Sequence, residues 1–339
     1  MVDLNILWFV LLGVLLAGYS ILDGFDLGVG ILHLTARNEK ERRLMLNSIG
    51  PLWDGNEVWL VTFGGAMFAA FPNAYATVFS GFYVAFMLLL FALIFRAVSI
   101  EFRSKRDSIA WRRFWDFSFS GASLLATLLF GVAAGNAMLG IPINAEGSFI
   151  GSFFDLLRPY PILIGLLTVS FTVMHGAIYL YLKTEGELQQ VVHRWMWRGF
   201  GLAMVFYLLA TIFTLAVMPQ AAGNFHDYPW SWIVVVLTVL AFANIPRAIF
   251  LERPFYAFLS SSATILALVF LFSFTLYPNL VVSSISPEYN LTIFNSASSS
   301  KTLGIMAIIA LLGMPFVLAY TGAIYWAFRG KVKISEHSY

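Results

Sequence analysis

The chain has 339 residues, of which 60% are hydrophobic, 17% aromatic and 11% charged, against about 25% charged in an average soluble domain. A water-soluble core cannot absorb that apolar excess, and with no cysteine there is no disulfide, thiolate nucleophile, iron–sulfur site or thiolate-bound haem. The net charge of +2 comes almost wholly from loops between apolar stretches, so it suggests neither nucleic acid nor an acidic substrate.

Spanning helices need about 20 apolar residues, and the candidates in chain order are 6–34, 52–71, 75–97, 114–139, 160–182, 198–219, 230–250, 255–277 and 302–328. The spacing predicts an all-α polytopic membrane protein: nine helices forming one domain over 1–339, read as two pseudo-symmetric four-helix bundles plus one extra helix. A faint internal echo supports the halves, Thr35-Ala-Arg-Asn-Glu39 against Lys183-Thr-Glu-Gly-Glu187. Eighteen of the 20 Lys and Arg residues fall in the odd-numbered gaps and the tail, leaving Arg158 and Lys301 in the other set. Cytoplasmic loops accumulate cations, so the odd gaps and the C-terminus are expected inside and the N-terminus outside. The opening pentapeptide carries no basic n-region, and the first cation is Arg37, so the first helix is expected to be retained.

The first stretch contains Asp23 and Asp26, three residues apart and therefore on nearly the same face. Each costs about 2.5–3.5 kcal/mol at a helix centre on insertion scales, so each must find protein, water, a partner or a proton. The ordinary alternative is a hydrogen bond to a neighbouring helix. Gly24 and Gly28 offer a small-xxx-small face for close helix packing. The second stretch is the weakest span: its apolar run starts at Val58, so it must include Trp53, Asp54 and Glu57 to cross. Asp54 and Glu57 have capping-box spacing, which competes with a water-accessible proton site. Phe71-Pro72-Asn73-Ala74 joins it to the third stretch by a tight turn.

Beyond the third stretch, Glu101, Arg103 and Lys105 form a charged segment on the side expected to face the cytoplasm. A solvated loop is the default; an acid and an amine leading toward buried carboxylates also meets the needs of a proton entry path. Asn136 and Asn244 read as interhelical glue, and Pro246 as the end of the seventh helix. His33 and His175 lie in or beside spans, with the other histidines in loops or the tail, and each of the two reads better as a packed, hydrogen-bonded side chain than as a haem ligand. Trp8, Trp53, Trp111, Trp115, Trp195, Trp197, Trp230, Trp232 and Trp326 sit near span ends, as interfacial belts do.

Several runs carry a family likeness: Leu22-Asp-Gly-Phe-Asp-Leu-Gly-Val-Gly30, Glu41-Arg-Arg43, Asn47-Ser-Ile-Gly-Pro51, Trp53-Asp-Gly-Asn-Glu-Val-Trp59 and Phe68-Ala-Ala-Phe-Pro72. So do Glu101-Phe-Arg-Ser-Lys105, Trp115-Asp116, Gly135-Asn136, Gly140-Ile-Pro142 and Leu182-Lys-Thr-Glu-Gly-Glu-Leu-Gln189. Together they resemble subunit II of cytochrome bd-type quinol oxidases, in order from residue 1 to about residue 200. The remainder matches in hydropathy more than in words.

The resemblance implies a bacterial cytoplasmic-membrane subunit that binds no haem itself and supports a haem-bearing subunit I. In such a complex quinol is oxidised at the outer side and O₂ is reduced to water with cytoplasmic protons. The b- and d-type haems and the quinol belong to the complex through that partner, and a small single-helix subunit is a further candidate partner. It puts Asp54, Glu101 and Lys105 on a proton route, with Asp26 in the acidic motif beside it; Asp23, Trp53 and Glu57 are candidate supporting residues by their place next to these acids. Two rival readings remain: a proton-coupled carrier using Asp26 and Asp54, for which the Gly-rich stretch 24–30 is the one candidate helix break, and a purely structural partner.

Overall fold

The computed structural model describes residues 3–334. Met1, Val2 and the tail from Ser335, including His337 and the last residues of the predicted 1–339 domain, lie outside the described residues. The chain is almost wholly helical: α1 (Leu4–Leu32), α2 (Glu39–Ile49), α3 (Trp53–Ala70), α4 (Pro72–Gly81), α5 (Tyr83–Phe102) and α6 (Ile109–Leu139) come first. Then come α7 (Pro159–Lys183), α8 (Gly186–Val217), α9 (Gly223–Asp227), α10 (Trp232–Phe250), α11 (Pro254–Leu276) and α12 (Ser300–Ala327).

Among the described residues eight helices are long and apolar enough to cross a membrane: α1, α5, α6, α7, α8, α10, α11 and α12. The stretch 52–71 is helical as α3, but Asp54, Asn56 and Glu57 near its start leave it short of that apolar standard. The expected single helix over 75–97 is two, α4 and α5, kinked at Phe82, across which the hydrogen-bond ladder continues. Pro246 does not end α10, which runs to Phe250 with the proline inside it. A proline removes one backbone donor, and neighbouring helices make that tolerable in a bundle.

The first basic gap is also structured. Asn38 caps α2, its Oδ1 accepting from the Glu41 N–H at 2.9 Å, and α2 buries Met45, Leu46 and Ile49. Of its cations Lys40 is exposed, whereas Arg42 is half-buried with Nη1 3.6 Å from the buried Asp116.

Helix α1 sits at the centre, packed against α3, α6, α7, α11 and α12. Its glycines explain how. A Cβ on Gly28 would collide with the Thr172 carbonyl and the backbone of Gly176, and one on Gly30 with Ser123. The backbones of α1 and α7 therefore meet directly, as the small-xxx-small face requires. α1 runs unbroken through 24–30, so the helix interruption that a carrier would need is not there. α5 packs on α6, and α7, α8, α10 and α11 form the second group.

At the end opposite the basic segments, β1 (Asn279–Val281) and β2 (Leu291–Thr292) pair antiparallel. Ser298 donates to the Ala70 and Ala69 carbonyls, closing this segment over the α3–α4 turn. The Arg158 guanidinium donates to Asn136 Oδ1 at 2.9 Å and to the Gly140 carbonyl at 2.6 Å, so this off-pattern cation is a structural clamp.

The belt reading of the tryptophans fails for three. Trp8, Trp115 and Trp195 are buried, and Trp8 Nε1 donates to the Leu303 carbonyl at 3.0 Å, tying α1 to α12. Trp197, Trp230, Trp232 and Trp326 are exposed, as interfacial residues are.

Candidate functional site

Three of the expected acids, Asp23, Asp26 and Glu57, converge on one cluster between α1, α3 and α5, and Asp54 and Glu101 lie outside it. Asp23 and Asp26 are both 0% exposed, from the same face of α1. Asp23 receives both terminal nitrogens of Arg96, a bidentate pair with both partners fully buried. Arg96 Nη1 also donates to Glu57 Oε1 at 3.2 Å, and that carboxylate is 20% exposed. Asp26 accepts from Asn56 Nδ2 at 2.7 Å through Oδ2, while its Oδ1 has no hydrogen-bond partner. Asn56 is held in turn by the Tyr325 hydroxyl, which donates to Asn56 Oδ1 at 2.9 Å.

Arg96 is the main departure from the sequence reading, which counts it among the cations of a cytoplasmic gap. It lies inside α5, fully buried. Guanidinium is the group suited to that position, because its fork satisfies a carboxylate with two parallel hydrogen bonds. Arg103 departs likewise: it is buried rather than solvated. Its signal was faint, since arginine near a span end normally snorkels to the headgroups. Asn56 and Tyr325 were also missed; Asn56 stands in the quoted Trp53–Trp59 motif, but nothing in the sequence separates Tyr325 from other aromatic residues.

Asp54 is exposed in the first turn of α3. Leu52, not Asp54, holds the N-cap position and no side chain caps it, so the capping-box reading is overturned. Asp54 still favours the positive end of the helix. Trp53 is half-buried beside it and packs on the core. Glu101 is half-buried at the end of α5 and Lys105 is exposed just beyond it. Glu101 is five residues past Arg96, about 7.5 Å along the axis.

A second polar group lies at the same end of the bundle. His33 Nε2 is 2.5 Å from Asp116 Oδ1, Arg103 Nε donates to that oxygen at 2.6 Å, and Arg103 forks onto Glu39 at 2.9 and 2.7 Å. Partial burial pushes the Glu39 carboxyl up, and the Arg103 hydrogen bonds outweigh it and hold the group below its ordinary value. Glu41 is likewise pushed up by burial but held low by hydrogen bonds from the Arg37 side chain and N–H.

Both membrane-depth histidines are packed and hydrogen-bonded. His175 Nδ1 meets Ser261 Oγ at 2.7 Å, its Nε2 meets the Ile21 carbonyl at 3.1 Å, and the ring stacks on Phe258. Neither histidine lines the open-sided cavity of about 500 Å³ between α1, α6, α7, α8, α10 and α11. Three of the four ring nitrogens are engaged by protein groups, and His33 Nδ1 has no hydrogen-bond partner. Asn244 Nδ2 donates to Ser260 Oγ at 2.8 Å, the interhelical role expected of it, whereas Asn136 Nδ2 donates to the Leu156 carbonyl at 2.7 Å and ties α6 to the segment before α7.

Comparison with known proteins agrees with this architecture. Residues 4–328 match the family model for cytochrome bd terminal oxidase subunit II. The chain is 36% identical to the Escherichia coli (strain K12) cytochrome bd-I ubiquinol oxidase subunit 2, covering 97% of this chain and 95% of that one. It is 34% identical to the Bacillus subtilis (strain 168) cytochrome bd ubiquinol oxidase subunit 2, covering 99% of each. In fold it resembles a chain of the bd oxidase from Geobacillus thermodenitrificans, with a TM-score of 0.79 over 96% of this chain and 98% of that one at 17% identity. A central α1 with paired carboxylates, a buried arginine across from them and full-length likeness to such proteins lead to one conclusion: the chain belongs to the cytochrome bd terminal oxidase subunit II family.

Proposed function

We propose that this subunit of a bacterial cytochrome bd-type quinol:O₂ oxidoreductase supports a haem-bearing subunit I and conducts cytoplasmic protons toward it. The observation that carries the proposal is a graded series of carboxylates: exposed Asp54, then Glu57 one turn on at 20% exposure, then Asp23 and Asp26 at 0%. Proton transfer needs groups that both accept and release a proton, and Arg96 cannot. The guanidinium therefore anchors Asp23 and orients Glu57, while Asp54, Glu57 and Asp26 carry protons. One cation stands among three carboxylates, an excess that a bound proton relieves. Glu101 and Lys105 gather protons at the mouth, on the side of the basic segments; in this reading that side, with the C-terminus, faces the cytoplasm and the N-terminus lies outside.

The partner's seat is supported by a bare helix face. α3 exposes Val58, Val61 and Phe68, and Gly64 and Gly65 face open space. A helix of subunit I docking there would close over Asp54 and Glu57. When that partner is bound, its b- and d-type haems supply electron transfer and O₂ chemistry; this chain's residues hold and move protons. A small single-helix subunit would complete the assembly.

Asp54→Asn in the purified two-subunit complex tests the route. Asp54 makes no cap, so the variant is expected to assemble with full haem content and to consume O₂ more slowly by about tenfold or more, below the range of a fully positioned proton donor. Undiminished O₂ consumption would remove Asp54 from the route.

A further inference from the structure

Asn56 stands between Asp26 and α12, a helix that buries little apolar surface. Its side chain has three partners: Nδ2 donates to Asp26 Oδ2 at 2.7 Å and to the Leu22 carbonyl at 3.2 Å, and Oδ1 accepts from the Tyr325 hydroxyl at 2.9 Å. The Leu22 carbonyl settles the orientation of the amide. It can only accept, so the NH₂ group must face α1; a turned amide would set Oδ1 against a carbonyl and a carboxyl together.

Tyr325 lies in α12, where Leu303 is the single buried residue. The cytoplasmic end of that helix is tied down by polar contacts. Lys183 Nζ donates to the Phe328 carbonyl at 2.5 Å, the Val332 N–H to the Lys183 carbonyl at 2.8 Å, and Lys331 Nζ to the Thr184 carbonyl at 2.7 Å. These ties hold Tyr325 over Asn56 although α12 buries little apolar surface.

We infer that Tyr325 is a positioning residue for Asp26, acting through Asn56: its hydroxyl latches the amide so that Asp26 always meets a hydrogen-bond donor. Without the hydroxyl, Asn56 Oδ1 loses its partner and the amide is held only by its two contacts to α1, so its hydrogen bond to Asp26 loosens. The inference deepens the proton-route reading, since it matters for turnover only if Asp26 carries protons. The hydroxyl's effect on the carboxyl stands apart from that reading.

The test is infrared difference spectroscopy on the whole complex. The Asp26 carboxyl band is identified by its loss in Asp26→Asn, or by its displacement in Asp26→Glu if the Asn variant does not assemble. Tyr325→Phe is expected to shift or split that band with haem content unchanged. Asn56→Ala should shift it too, and the double variant no further than Asn56→Ala alone, because the hydroxyl acts through the amide. A band in Tyr325→Phe identical to the parent's overturns the inference, as does a Tyr325→Phe effect that persists undiminished in the Asn56→Ala background. O₂ consumption by Asp26→Asn, or by Asp26→Glu if that variant does not assemble, reads the proton route separately: a shifted Tyr325→Phe band with full turnover in the Asp26 variant keeps the latch and removes Asp26 from the route, whereas an unshifted band with slowed turnover in the Asp26 variant does the reverse.

Discussion

Arg96 has its guanidinium fully buried, so its removal would leave Asp23 uncompensated in low dielectric. Breaking such a pair costs about 3–5 kcal/mol, and Arg96→Ala is expected to abolish assembly with the partner, measured as loss of the haem spectrum from membranes. Arg96→Lys should rescue only in part, since a point charge cannot replace the fork on Asp23. Glu39 gives a milder, pH-dependent case. Its folded value lies below its unfolded one, so its contribution is full above the ordinary glutamate range and fades as pH falls through the lowered value. Glu39→Gln should flatten the acid limb of a stability profile by thermal unfolding. The buried acids were legible in the sequence because a carboxylate in an apolar run has few explanations; Arg96 was not, because it stands near the predicted end of its span, where a cation normally reaches water.

Helices α1 and α7 cross with glycine against glycine, and this contact sets the positions of Asp23 and Asp26 on one side and His175 on the other. Gly28→Val is expected to force the helices apart, at a cost of about 1–3 kcal/mol or more, and to lower the yield of assembled complex. Gly121→Ala, which meets open space, should be neutral in the same measurement. The long apolar helices were legible from hydropathy alone. Amphipathic α2 was hidden by its cations, although Asn38 three residues before Glu41 is a helix-start signal. The Phe82 kink has no proline or glycine at its own position to announce it, and Pro246 misled because a helix packed among others tolerates a lost donor that an isolated one does not.

Across the whole molecule, burial of Arg96 and Arg103 removes two cations from the loop tally but leaves the alternation of the others intact. Reporter fusions are expected to place the N-terminus outside, the C-terminus in the cytoplasm, and the α2 segment and the α3–α4 turn on opposite sides of the membrane; a cytoplasmic N-terminus would put Asp54 on the wrong side for proton uptake. The most direct test of the central claim is single-turnover proton uptake by the reduced complex as it reacts with O₂, with Glu57→Gln beside the parent. Glutamine keeps an oxygen for Arg96 Nη1 and leaves the Asp23 pair untouched, so the haem spectrum and electron entry from quinol should match the parent. The account predicts that proton uptake, and the O₂ step that waits for it, slow by about a hundredfold; uptake at the parent's rate in an assembled Glu57→Gln complex would contradict it.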